Sequence, residues 1–249
     1  DGRVGKAALA VRYGVRCAQN TARLVLAHGD RFHSIDLSED DHVKGHSATP
    51  LLWRDLFGKQ PAEFSELPPD SVRAREWLFG TGDLRAQARE YVLAMHAAGK
   101  SHRIWPEHCV RDTWGQKTYG PLMTALTSWE QKTGKRCVLT KKGSALIPEH
   151  FGLFEAEIQD HDDPSTQTNW PLLRRLEKLD WLVITGLALD ICVRRSIEQM
   201  LAHLGIEFAR KIVILTDCTA AVDEAVGAAF LEYLRELGAT ITTSDKIFA

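Results

Sequence analysis

The chain has 249 residues, 44% of them hydrophobic, enough to bury one sizeable core, so a single domain over residues 1–249 is expected. A formal net charge of -2 with 26% charged residues lacks the basic face of a nucleic-acid binder and favours a small-molecule substrate. Five dispersed cysteines, none in a C-x-x-C pair, argue against a disulfide framework or zinc knuckle and for an intracellular reducing compartment, cytoplasm or organelle matrix, while no apolar run approaches the ~18 residues of a membrane span.

In chain order, the first 80 residues are irregular: a helix over 17–27, a strand over 31–35, and a Pro-rich polar excursion over 38–70, of a kind that tends to carry function or contact partners. Beyond residue 80, apolar runs alternate with amphipathic stretches. Leu84, Ala88, Tyr91, Val92 and Met95 recur at helical spacing, with a stop at Gly99. There follow a helix over 121–132, a strand over 136–140, a helix over 170–179 and a strand over 181–185. A helix over 190–204, a strand over 211–216, a helix over 222–237 and a strand over 239–243 complete the series. This rhythm predicts an α/β fold, an open, mostly parallel doubly wound sheet with helices on both faces.

Gly186-Leu187-Ala188-Leu189-Asp190-Ile191-Cys192-Val193 joins a strand to a helix, which places Cys192 near a helix N-terminus at the carboxyl end of the sheet. Open α/β sheets bind ligands there, and free helix N–H groups stabilise a thiolate and a developing oxyanion. Spacing alone leaves room for a small packing cysteine instead. The segment resembles the G-x-A-x-D-x-C-V signature of nicotinamidases, within the isochorismatase-like cysteine hydrolase superfamily. That resemblance implies Cys192 as nucleophile, the backbone N–H groups of Ala188 and Cys192 as oxyanion hole, and a cis peptide between Leu187 and Ala188.

Trp105-Pro106-Glu107-His108-Cys109 is similar to the family's W-P-x-H-C motif, which implies that His108 ligates a divalent metal and that Cys109 is not catalytic. Read by itself, His108 is a packing residue in a loop. Lys142-Gly143 resembles the K-G pair whose lysine sits beside the nucleophile and lowers its pKa, although a Lys-Lys-Gly turn alone is usually solvated. The motifs stand in the family's order, and the resemblance covers about residues 80–245.

Two departures accompany it. Ser34-Ile35-Asp36 matches the approach to the family's D-x-H metal motif, yet Ser38 stands where the histidine belongs. The implied ligands are therefore His108, Asp36 and His42, with His46 a further candidate, for Zn²⁺ or another divalent ion; a solvated acidic loop at Glu39-Asp40-Asp41 is the plain alternative. The family's general base, in D-x-Q-x-D-F on its first strand, has no counterpart in residues 1–30. Either residues 6–11 form that strand, with Arg12 or Tyr13 at the base position, or the central strand comes from upstream residues or a partner. The resemblance implies a cysteine amidohydrolase acting on a small nicotinamide-like carboxamide through a thioester, with release of ammonia. The competing expectation is an inactive relative retained as a scaffold or subunit, and a homo-oligomer or larger assembly is expected in either case. No G-x-G-x-x-G follows a strand, which disfavours a dinucleotide binder.

Overall fold

Helix α1 (Gly14–His28) buries Cys17, Ala22, Leu24 and Val25, positions that recur on one helical face. Residues 8–248 are described by the structure, a computed structural model. α1 spans two parts of the molecule. Ala22 and Val25 pack with Ala125, Leu126 and Trp129 of α4 (Gly120–Thr133), while Leu24 packs with Val213 and Leu215 of β6 (Ile212–Ala220). The Trp129 indole donates to the Gly29 carbonyl at 2.8 Å, and a Cβ on Gly29 would lie 2.7 Å from that ring.

The fold is α/β with parallel sheets, but the central sheet is divided. β1 (Asp36–Asp40) pairs in parallel with β4 (Val138–Lys142), with Asp40 opposite Lys142. β5 (Leu182–Leu187) pairs in parallel with β6, and β6 with β7 (Thr240–Thr242). Among the described residues β1 and β5 are not hydrogen-bonded to each other. Against the larger piece pack α5 (Trp170–Glu177), α6 (Arg194–Leu204) and α7 (Glu224–Glu236), through Leu173, Ile197, Phe230 and Leu234 onto Ile212 and Ile214.

Two expectations need correction, and one open alternative bears on the described residues. The strand expected at 31–35 lies at Asp36–Asp40, because residues 29–31 form a 3-10 turn that closes α1. The excursion over 38–70 is not a structureless loop: it holds the end of β1, then β2 (Trp53–Asp55), which pairs antiparallel with β3 (Trp77–Phe79). That hairpin, α2 (Pro69–Arg73) and α3 (Asp83–Ala97) enclose a second core around Trp53, Phe79 and Met95. For the proposed first strand, Lys6 and Ala7 fall outside the described residues, and Ala8 to Val11 form turn and irregular chain rather than strand. No described helix is long and apolar enough to cross a membrane.

Candidate active site

β5 ends at Leu187, and the Leu187–Ala188 peptide is cis. The chain then makes one π-helical turn, Leu189–Val193, before α6 begins. Asp190 fixes this turn by accepting the N–H groups of Val222 and Asp223, at 2.9 and 2.8 Å, at the start of α7. Cys192 is thereby held over the carboxyl ends of the strands, with the Ala188 N–H directed at its sulfur.

Lys142, the last residue of β4, approaches it from the other half of the sheet. Its Nζ lies 3.8 Å from Cys192 Sγ, donates to the His150 carbonyl at 2.9 Å and meets Asp40 Oδ1 at 2.5 Å. Burial raises the Asp40 carboxyl, but Lys142 and His42 outweigh it and hold the group at about 2. For Lys142, burial works against the charge and Asp40 more than restores it, so the ammonium is raised above its usual range. Burial pushes the Cys192 thiol up to about 11, with Lys142 pulling the other way. At neutral pH the trio is carboxylate, ammonium and thiol.

Beside it, ligand atoms of Asp40, His42 and His108 lie within 4.8 Å of one another. His42 Nδ1 donates to the Gly143 carbonyl at 3.1 Å and His108 Nδ1 to the Pro106 carbonyl at 2.8 Å, which fixes each ring and leaves Nε2 as the lone-pair nitrogen. Backbone carbonyls behind imidazoles are the usual support of metal-ligating histidines, so these residues fit a divalent cation. Burial depresses His42 to about 4, so it is neutral and free to donate its lone pair.

Asp36 is not part of this group. It is at the opposite end of β1, where both carboxylate oxygens are bound by Arg175. Asp40 takes its place. The missed signal was plain, since Asp40-Asp41-His42 is itself a D-x-H triplet once the strand is placed five residues later. His46 has both ring nitrogens occupied, Nδ1 by the Ala48 N–H and Nε2 at the Pro148 carbonyl, so it supports the site from behind. Cys109 is pushed up to about 12 by burial and the Asp40 charge, which makes it an inert thiol.

These side chains open on a cavity of about 660 Å³ whose aromatic lining is Trp105, Trp114 and Phe151, the first and last edge to face with centroids 6.4 Å apart. The sequence pointed to Trp105 only as the start of a motif and did not single out Phe151, nor His150, whose buried Nε2 has no partner there. Among the described residues the carboxylates lining the cavity are Asp40, Glu107 and Glu149.

The profile of the family described as the isochorismatase domain matches residues 86–246. The nicotinamidase of Saccharomyces cerevisiae is 28% identical over 123 residues, 49% of this chain and 49% of that protein, so the alignment spans about half of the curated relative's length. In structure, the chain is similar to a nicotinamidase/pyrazinamidase of Acinetobacter baumanii (TM-score 0.61, 16% identity, 97% of this chain and 90% of that one). It is similar also to the yeast nicotinamidase (0.62, 17%, 96% and 93%). A third likeness is the pyrazinamidase of Pyrococcus horikoshii in complex with zinc (0.56, 16%, 96% and 92%). At these identities the structural likeness concerns the fold.

Proposed function

Because this chain belongs to the isochorismatase-domain family, we propose that it is an amidohydrolase whose Cys192 attacks a small, ring-bearing carboxamide of the nicotinamide type. The observation that carries this reading is the approach of Lys142 Nζ to Cys192 Sγ at 3.8 Å, from separate halves of the sheet, at the wall of an aromatic cavity. An ammonium at that distance stabilises a thiolate, and the N–H groups of Ala188 and Cys192 are the donors for the oxyanion. The yeast nicotinamidase, to which the chain is similar, points to the same substrate class.

In this reading Cys192 Sγ bonds to the carbonyl carbon as its thiol proton passes to water. The tetrahedral adduct collapses to a thioester, and the C–N bond breaks with a proton passing to nitrogen as ammonia leaves. Water then cleaves the thioester, giving the carboxylic acid and restoring the thiol. Trp105 and Phe151 bound the ring and exclude water. Asp40, His42 and His108 would hold a divalent metal, zinc by the chemistry of the donors, which supplies a Lewis-acid site for a ring nitrogen or a water.

A second reading, an inactive relative serving as scaffold or subunit, is favoured by one specific observation. The thiol is held at about 11, and the one described carboxylate in ion-pair contact with Lys142, Asp40, is already bound to it. Ammonia release from a panel of aromatic carboxamides, by wild type and Cys192→Ala, separates the two. Activity in the wild type that falls at least about a thousandfold in the variant supports the hydrolase; no ammonia from any amide by metal-loaded wild type supports the scaffold.

A further inference from the structure

We propose that His150 is a specificity-determining residue of the active-site cavity, whose imidazole Nε2 hydrogen-bonds a hydroxyl that the substrate ring carries in addition to its carboxamide. The inference rests on the amidohydrolase reading and adds to it the substituent on the ring. His150 lines the cavity and is 7% exposed, and its buried Nε2 has no hydrogen-bond partner. Buried polar atoms are nearly always paired, so one left open on a cavity wall marks where a bound molecule completes the bonding.

Other polar side chains of the cavity are already engaged. Asp40 and Lys142 hold each other, Glu107 accepts from the Gly45 N–H at 3.0 Å, and Thr113 donates to the Val110 carbonyl at 2.6 Å. His42 and His108 each turn Nδ1 to a backbone carbonyl and present Nε2 to the candidate metal group. Besides His150, Trp105 leaves a buried side-chain nitrogen, Nε1, without a partner among the described residues. These two atoms select the ligand chemistry. Burial and the Lys142 charge keep the His150 imidazole neutral, so Nε2 donates in one tautomer and accepts in the other, whereas an indole N–H only donates. A hydroxyl does both, so it satisfies His150 in either tautomer and accepts from an indole as well. Space allows the substituent, since a cavity of about 150 Å³ holds benzene and this one measures about 660 Å³.

The imidazole is carried on firmly held chain. The His150 N–H donates to Glu149 Oε1 at 3.3 Å, and its carbonyl accepts from Lys142 Nζ at 2.9 Å. Two residues on, Gly152 lies so close to the Gln199 amide that a Cβ has no room, and Gln199 Oε1 accepts the Phe154 N–H at 3.0 Å. The same Lys142 ammonium stands 3.8 Å from Cys192 Sγ, so a ligand bonded to His150 is tied to the backbone that positions the reacting pair. A polar group fixed in this way discriminates strongly, because a ligand without the matching group leaves it desolvated and unpaired.

Titration calorimetry on the zinc-supplemented Cys192→Ala chain, which cannot turn the amide over, compares nicotinamide with its monohydroxylated isomers. At least one isomer is expected to bind about tenfold more tightly than nicotinamide, or better. In His150→Phe on that background, or in His150→Ala should the larger ring not fold, the preference should shrink to within about threefold; His150→Gln, which keeps a hydrogen-bonding group, should retain part of it. Equal affinity for nicotinamide and every isomer would overturn the proposal and leave the amidohydrolase reading standing, as would a preference that persists without the imidazole. Failure of every amide to bind would overturn that reading and this inference with it.

Discussion

Gly143 shows how closely single residues are fitted around the candidate metal group. Its φ of +71° is a left-handed conformation, its carbonyl orients His42, and a Cβ there would lie 2.7 Å from His42 Cε1. Gly143→Ala is expected to turn the imidazole and lower divalent-metal affinity by about 10- to 100-fold, read by titration calorimetry. Lys142→Met removes the partner of a buried carboxylate and should cost about 3–5 kcal/mol in urea unfolding. Adding Asp40→Asn should recover part of that loss, since the uncompensated charge is gone; a double variant as unstable as the sum of the singles would show that the pair is not coupled. Lys142 and Cys192 were legible because the first ends a strand, the second lies in the turn just after one, and each stands within a recognisable motif. Asp40 was not, because which carboxylate reaches Lys142 depends on the register of β1 against β4, strands far apart in sequence.

Among the elements, the strand–turn–helix around Cys192 depends on contacts outside itself. Asp190 ties its π turn to the first N–H groups before α7, and Asp223 then caps α7 by accepting from Ala225 and Val226. Asp190→Ala is expected to cost about 1 kcal/mol, a fall in Tm of roughly 2–4 °C, with a smaller loss for Asp190→Asn, which keeps one acceptor. An unchanged melting temperature in the alanine variant would show that the turn is held by its own packing. The helices were read well because their apolar spacing is local. β1 was misplaced by five residues because Asp-Leu-Ser-Glu-Asp carries one apolar residue and no alternation. It is a strand through pairing with β4, and no window of its own sequence shows that.

For the molecule as a whole, the buried histidines set an acid limit. His46 is held at about 4 by burial, and His150 at about 3 by burial and the Lys142 charge, both below the ordinary 6.5. Native imidazoles that resist protonation make the unfolded state the stronger proton binder once pH falls below about 6.5. Their contribution is therefore full above that pH and declines as pH falls towards about 4, by on the order of 2–3 kcal/mol for each ring. The urea midpoint is expected to be lower at pH 5 than at pH 7.5; equal midpoints would mean that these rings are already protonated or solvated in the native state.

The sequence by itself determined the α/β rhythm, the order of the three motifs and the turn that presents Cys192, because helical periodicity and strand-to-helix junctions are written in neighbouring residues. Only the tertiary structure decided that Asp40 rather than Asp36 joins His42 and His108, that both nitrogens of His46 are occupied, and that β1 and β5 are not hydrogen-bonded to each other among the described residues. Those outcomes rest on strand register and on which hydrogen-bonding groups meet across long sequence distances. Burial then makes each such pairing costly to leave unmet, so long-range geometry, rather than local pattern, selects the side chains that converge.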